Sequence, residues 1–467
     1  MVDIRTLAVL AVSITLLPAW DCAPDVGTSS TDDGGTPLLD SGVAEMDSGV
    51  AEMDAALPGV DAGSLPDGGV SADSSVPLVD AGAVDAHVVT TGDFTVTTSD
   101  NDRGFHYYEK QMSMAVDSAG TAFFAYLALG IEESVHFNTF SSGTWTLHEL
   151  PAPSGTEGDD YYFRYATVVL DAAEQPIVLY VANGPGWDGF RCRLNAATRA
   201  GDSWEITEVT RQPFDCGDGS SIGSAGETRA IDAQRDAAGN IHVVADMHGA
   251  VYAQRVGSTW TTTRITTAEG DESTHPALGL NQAGVVYVAA GGYVPGSFDW
   301  LNKLFRKEGS GFVEVSLPAL IANAPQRVGL ALAVDTSGRP HMMLADDEAM
   351  RYAFRDGETW TTEVAPSSIP DSYRIGRTTD TPAMLVNAGG HIVAAFVQAL
   401  DDDPDPSPPR TGVGGVRLME RTPSGAWSVQ TIQVTMDDLL HHPNVALDGA
   451  GHVHVGWSGD GPTHAVR

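Results

Sequence analysis

The chain has 467 residues, with 62 Asp plus Glu against 25 Lys plus Arg and a formal net charge of −37. Charge of that sign and size excludes nucleic-acid binding, which needs a basic face to neutralise phosphates, and it repels anionic membrane surfaces. The apolar stretch at Leu7–Leu17 is too short to span a bilayer.

Residues 1–22 read as a secretion signal: Arg5 lies in a short n-region, the apolar stretch follows, and Cys22 comes after Pro18-Ala19-Trp20-Asp21. The placement of Cys22 resembles a bacterial lipoprotein signal. That resemblance implies lipidation at Cys22, and with Ala23 next it implies an exported protein at the outer membrane or cell surface. Trp20-Asp21 departs from the small residues such signals carry before the Cys. The lipid would be the chain's one contact with a membrane, and the expected state is a monomer.

Residues 23–91 are built from Asp, Ala, Gly, Ser, Val and Pro, with DSGVAEM at 40–46 repeated at 47–53. Thirteen acids lie here, with no Lys, Arg or aromatic residue. Such a segment buries too little apolar surface to offset its ordering entropy, and like charges extend it, so it reads as a disordered tether. Its Asp residues lack the bidentate Glu that closes a calcium cage. Beyond Thr91, 47 acidic residues face 24 Lys plus Arg, a net charge of −23.

From residue 92 a unit recurs seven times: a β-like run, Asp or Asn, two residues, usually Gly, then two further runs and Gly-x-Trp. The opening residues are Asp117, Asp171, Asp236, Asn281, Asp335, Asn387 and Asp448, a mean period of about 55 that suits a propeller blade. The closing aromatics are Trp145, Trp204, Trp260, Phe312, Trp360 and Trp427. Runs such as Ile241–Ala245 alternate with period two, as strands do. Asp-x-x-Gly supplies a side-chain acceptor and then a left-handed position, so it predicts the turn between strands 1 and 2. Gly-x-Trp predicts the turn between strands 3 and 4, with the Trp as an apolar plug between blades. The seventh unit lacks a closing aromatic, and Gly92–Thr98 reads like the repeat's last strand. The prediction is all-β: a seven-bladed β-propeller of four-stranded blades over 92–467, its last blade closed by the N-terminal strand.

Seven copies of one turn mark a scaffold face. Function belongs to the connections at the other end, where loops on a rigid frame vary. The 2→3 connections are expected at 183–188, 291–300 and the acidic, Pro-rich 401–410. The segments entering strand 1 carry the candidate ligand-binding residues Tyr107, Tyr108, Tyr162, Arg164, Arg229, His275, Arg327, Tyr373, Arg374, His441 and His442. Arg, Tyr and His around one mouth suit a hydroxylated or carboxylated ligand, through charge-assisted hydrogen bonds and stacking. The competing expectation is that such groups pair with each other in a wet channel. Cys192 and Cys216 are expected to form a disulfide.

The segments YAQRVGSTW at 252–260 and YAFRDGETW at 352–360 resemble the Asp-box of sialidase-like (BNR-type) propellers, with Arg255 and Arg355 where that family has Asp. Phe163-Arg164-Tyr165-Ala166 is similar to the arginine signature of sialidases, and Arg229 and Arg327 would be further members of their arginine triad. His441-His442-Pro443-Asn444, and the run from His242 through His248 to Tyr252, resemble patterns of propeller polysaccharide lyases. That resemblance implies His248 or His442 as base, Arg229 as charge stabiliser and Tyr252 as a further catalytic candidate. No phosphate loop, zinc motif or Gly-x-Ser-x-Gly occurs, so no cofactor and no metal is expected. The leading expectation is a recognition module for a glycan, peptide or protein partner. The alternative is a carbohydrate-active enzyme, a polysaccharide lyase or sialidase-like glycosidase, working at the same mouth.

Overall fold

A computed structural model describes residues 89–90, 94–99, 112–128, 134–150, 162–186, 189–201, 203–212, 230–247, 249–265, 276–293, 300–322, 330–345, 350–365, 381–400, 413–435, 441–459 and 461–467. By its contacts the chain divides into Met1–Val79 and Asp80–Arg467, and every described residue belongs to the second unit. The signal-like segment, Cys22 and nearly all of the acidic segment lie outside the described residues.

Seven antiparallel sheets form a seven-bladed propeller. The innermost strands are Met112–Val116, Tyr162–Leu170, Ile231–Arg235, Ala277–Leu280, Leu330–Val334, Ala383–Val386 and His441–Leu447, for blades 1 to 7, and each touches the innermost strand of the next blade around the ring. A four-residue helix, Ala319–Ala322, links blades 4 and 5, with its Ile321 carbonyl accepting from Asn302 Nδ2 at 2.9 Å.

The recurring Asp or Asn closes the 1→2 turn with its own side chain. Asp117 Oδ1 accepts from the amides of Ala119 and Thr121 at 3.0 and 2.7 Å, and Asp335 and Asp448 repeat the pattern at 2.9 Å for all four bonds. The fourth turn residue is left-handed in every copy, with φ between +75° and +88° where it is Gly. Blade 2 has Glu174 there at φ +59°. Its carboxylate accepts from the Ser118 amide at 3.2 Å and the Ser118 hydroxyl at 2.7 Å, tying blade 2 to blade 1.

Among the described residues the blades share no backbone ladder with one another, and aromatic side chains fill the seams. The strand-4 ring of one blade meets a strand-3 ring of the preceding blade: Trp204 on Phe137 at 5.1 Å, Phe312 on Tyr252 at 5.1 Å and Trp427 on Tyr352 at 5.4 Å between centroids. All three pairs are edge-to-face, as ring quadrupoles favour. At the last of these, Glu363 of blade 5 accepts from Arg421 Nη2 at 2.6 Å and Trp427 Nε1 at 3.0 Å, both in blade 6.

Thr95–Thr98 is the outer strand of blade 7 and pairs antiparallel with Pro462–Val466, as expected from the missing strand. Phe94, 6% exposed, packs with Val416, Ile432 and the fully buried Trp457. Arg467 lies 5.3 Å over the Phe94 ring and donates to Glu420 of blade 6 at 2.7 Å. One element was not foreseen. Val89–Thr90, assigned above to the tether, pairs with Val434 and Gln433 as a fifth strand on blade 6.

Because Phe94 buries a large ring where the N-terminal strand closes the ring against the C-terminal one, Phe94→Ala is expected to cost about 3–5 kcal/mol, read as a lower urea midpoint for the whole domain. Deleting residues 40–53 should leave that midpoint unchanged.

Candidate functional site at the axial mouth

All seven innermost strands run in one direction along the ring axis, so the segments that lead into them join at one end, opposite the Asp-x-x-Gly turns. Of the sequence candidates, Tyr107, Tyr108, Arg229, His248, His275, Arg327, Tyr373 and Arg374 lie outside the described residues. Tyr162, Arg164 and His441 lie within innermost strands rather than ahead of them. In blade 2 the expected 183–188 connection is mostly strand, since pairing continues to Gly186 opposite Gly189. Cys192 is fully buried and disulfide-bonded, and Cys216 lies outside the described residues.

His442 is the one mouth candidate whose side-chain surroundings are described. It is 4% exposed and holds φ +53°, a left-handed conformation that costs a non-glycine residue roughly 1 kcal/mol or more. The conformation belongs to a break in the ladder between His441 and Asn444. Asn444 Nδ2 reaches back to the His442 carbonyl at 2.7 Å and across to the Met112 carbonyl of blade 1 at 3.1 Å.

That second bond is one of a set. An innermost strand has no neighbour on its axial edge, so its outward backbone groups need partners. The Val168 amide of blade 2 donates to Ser113 Oγ of blade 1 at 3.3 Å, and Ser113 and Thr167 hydroxyls meet at 2.8 Å. Leu278 of blade 4 is held at both groups by blade 3: its amide donates to Asp232 Oδ2 at 3.0 Å and its carbonyl accepts from Gln234 Nε2 at 2.6 Å. These clips lie beside an axial cavity of about 240 Å³ lined by innermost strands of all seven blades.

Tyr252 lies away from the mouth, on strand 3 of blade 3 in the seam toward blade 4. Its hydroxyl meets His242 Nδ1 at 2.6 Å, and His242 Nε2 meets Asp236 Oδ2 at 3.3 Å. Blade 5 repeats this relay with Tyr352, His341 and Asp335 at 2.6 and 3.4 Å. Blade 7 carries a variant in which His464 Nε2 meets His454 Nδ1 at 2.9 Å, with His454 Nε2 3.5 Å from Asp448. In each, the His stands six residues after the turn Asp and its partner ten or eleven further on. That spacing is a sequence signal the reading above did not use.

Burial dominates the titration of these relays. It lowers the pKa of His242, His341 and His454 against the opposing pull of their Asp partners. Burial, with His454 adding to it, brings His464 down to about 3, and burial also raises the Tyr252 and Tyr352 hydroxyls. Burial opposes ionisation of Asp236, Asp335 and Asp448, but hydrogen bonds from Asn240, Arg339 and His452 and from the relay histidines outweigh it and lower all three. The histidines are therefore neutral and the carboxylates charged. In the blade 3 and 5 relays Nε2–H faces the Asp and Nδ1 accepts from the Tyr hydroxyl.

At the 3→4 turns, Arg255 donates from Nε to the Gly257 carbonyl at 3.0 Å. Arg199 and Lys307 do the same to Gly201 and Gly309 at 3.1 and 2.8 Å. Among the described residues no three His, Cys, Asp or Glu side chains come together as a metal centre requires.

No protein-family model and no curated protein sequence matches the chain. Solved structures resemble it as folds. An ulvan lyase of a polysaccharide lyase family has TM-score 0.44 and 13% identity, over 81% of this chain and 95% of that one. The NanB sialidase from Streptococcus pneumoniae has TM-score 0.40 and 9% identity, over 79% and 70%. The Aleuria aurantia lectin has TM-score 0.41 and 12% identity, over 70% and 96%. Likeness this distant carries no argument about ligand or reaction.

The relays set a pH dependence. A histidine whose folded pKa is depressed binds fewer protons folded than unfolded, so its contribution is complete above about pH 6.5 and drains as pH falls toward the folded value. The depressed carboxylates add their loss only below about pH 4. Thermal midpoints should therefore fall between pH 7 and pH 4.5. His464→Gln should flatten that slope by up to about 1.4 kcal/mol per pH unit, one proton's worth, while lowering the midpoint at pH 7.5.

Proposed function

We propose that the protein is an exported, surface-tethered recognition module whose axial mouth binds a glycan, with a peptide or protein as the other ligand class such a mouth would take. The observation that carries this is topological: the seven innermost strands begin at one end of a rigid ring, so segments rich in Arg, Tyr, His and carboxylates are delivered to one place. Guanidinium groups bind carboxylates through two parallel hydrogen bonds, and Tyr faces stack on sugar rings. The seven turns and the relays are used by the scaffold, which leaves the non-repeating mouth for binding.

Kinship with sialidase-like propellers belongs to this same reading. It is supported by Gly-x-Thr-Trp standing at the 3→4 turns, as in Gly257–Trp260 and Gly357–Trp360. One observation favours a catalytic reading in second place: His442 is a buried histidine in a strained backbone conformation at the mouth end of an innermost strand. Strain of this kind gathers at active sites. Export rests on residues 1–22, and tethering on Cys22 and the acidic segment after it.

On a glycan array the protein should show saturable binding that weakens at least about ten-fold in Arg164→Ala or Arg327→Ala, the loss of one charge-assisted contact. A polysaccharide panel followed at the unsaturated-uronate absorbance, and by reducing-sugar release, should give no product. Product that disappears in Arg229→Ala or His442→Ala would replace the binding reading with the catalytic one. In cells, labelling by a fatty-acid analogue should vanish in Cys22→Ser; persistence of the label would sink the anchor.

A further inference from the structure

Blade 7 carries an imidazole where the other blades carry apolar or phenolic side chains. The strand-3 position that reaches into the next seam lies two residues before the ladder partner of the sixth residue after the turn Asp or Asn. Phe137, Tyr252 and Tyr352 occupy it in blades 1, 3 and 5, and aliphatic residues occupy it in blades 2, 4 and 6. Blade 7 has His464 there, 1% exposed. Its ring stands 4.9 Å from Phe140 and 6.1 Å from Phe124 of blade 1, and Trp145 packs on both phenylalanines. His464 is also on the strand that closes the ring. It lies opposite Thr97 in the ladder with Thr95–Thr98, and Thr97 Oγ1 donates to its carbonyl at 3.4 Å.

The 2.9 Å bond between His454 Nδ1 and His464 Nε2 holds one proton between two nitrogens. The Asp448 carboxylate, 3.5 Å from His454 Nε2, keeps a proton on that side, so His464 donates and His454 Nδ1 accepts. A proton added at His454 Nδ1 sets one N–H against another. The pair then re-forms only if His464 moves its own proton to Nδ1, which is buried with no hydrogen-bond partner. The Tyr252 and Tyr352 hydroxyls face no such conflict, because one oxygen both donates and accepts and its proton turns by rotation. Among the described residues the charges acting on His454 are Asp448 and Asp117, which attract a proton, and His452, which repels one. Burial outweighs that attraction at His454, and at His464 burial and His454 act together against the charged form.

We infer that the His454–His464 pair is an acid-operated latch on the closing blade, whose protonation opens the seam between blades 7 and 1 and frees the Thr95–Thr98 strand while the other blades stay folded. Once the seam is open each histidine titrates near its ordinary value of about 6.5. Each proton taken up on opening then raises the open population by up to about ten-fold per pH unit below that value, and two histidines by up to about a hundred-fold. Blades 3 and 5 present one histidine each, beside a hydroxyl that adapts. The strand set free is the one through which the acidic segment joins the ring, so the response falls at the end of the propeller next to that segment. The inference goes beyond ligand binding at the mouth and does not depend on it.

Hydrogen exchange of the full chain, followed by mass spectrometry at pH 7.5 and pH 5.0, tests it, with each amide rate divided by its intrinsic rate at the same pH. Between the two conditions, protection of Thr95–Thr98 and Pro462–Val466 should fall at least about ten-fold more than protection of Ala250–Val256 and Met350–Asp356 in blades 3 and 5. His464→Tyr reproduces the relay of those two blades and should remove the excess loss while the strands stay protected at pH 7.5. His464→Phe, which places in blade 7 the residue found at 137 in blade 1, serves if the tyrosine variant folds poorly. An equal loss of protection in all blades would mean general acid destabilisation and overturn the latch. Excess loss that persists at Thr95–Thr98 in whichever variant folds would overturn it too, since the opening would then not run through His464.

Discussion

Backbone pairing ends at the edge of every blade, and the rest of the architecture answers that constraint. A sheet of four strands leaves two unpaired edges and two apolar faces, and a ring of seven has to hold all of them without a continuous ladder. The faces are closed by aromatic rings reaching one blade back, Trp204 to Phe137 and Trp427 to Tyr352. The ring as a whole is closed by the single ladder between Thr95–Thr98 and Pro462–Val466. Phe94 and Arg467 then fasten that closing blade to blade 6, through the core around Trp457 and the bond to Glu420.

The inner edges are handled unequally. Blades 7, 1 and 3 clip the backbone of their successors with Asn444, Ser113, Asp232 and Gln234, whereas blades 4, 5 and 6 carry alanine at the corresponding place. Net gain per hydrogen bond is small, but a buried backbone group without a partner costs about 1–3 kcal/mol. Gly279 belongs to the same side: a Cβ there would stand 2.7 Å from Leu332 Cγ and 2.9 Å from Val334 Cγ2, so the missing side chain leaves room for these two side chains of blade 5.

Repetition separates scaffold from site in the buried chemistry as well. An Asp–His–Tyr chain seen once invites a catalytic reading. Asp236–His242–Tyr252 and Asp335–His341–Tyr352 are two copies, with Asp448–His454–His464 a variant, each rooted in a 1→2 turn and buried in a seam. Neutral histidines held by burial let these polar groups enter a hydrophobic seam, hydrogen-bonded at both ring nitrogens in blade 3 and at one in blades 5 and 7, where Nε2 of His341 and of His454 stands 3.4 and 3.5 Å from its Asp. Tyr252 accordingly sits in a seam of the frame, away from the axial end of the ring.

Much of the fold was legible in the sequence because its signals are local. An Asp side chain reaches amides two and four residues on whatever the rest of the chain does, so Asp-x-x-Gly announced the seven turns. A missing last strand beside an unpaired run at Gly92–Thr98 announced the closure. The tertiary structure alone decided what depends on partners far apart in sequence. It put Tyr162, Arg164 and His441 inside strands, added Val89–Thr90 to blade 6, set Glu174 in a left-handed position where its carboxylate meets Ser118, and chose which strand edges are clipped. Sequence names the side chains that can bond; register and blade order decide which backbone groups face them, because hydrogen bonds form only at the distances and angles that the assembled ring imposes.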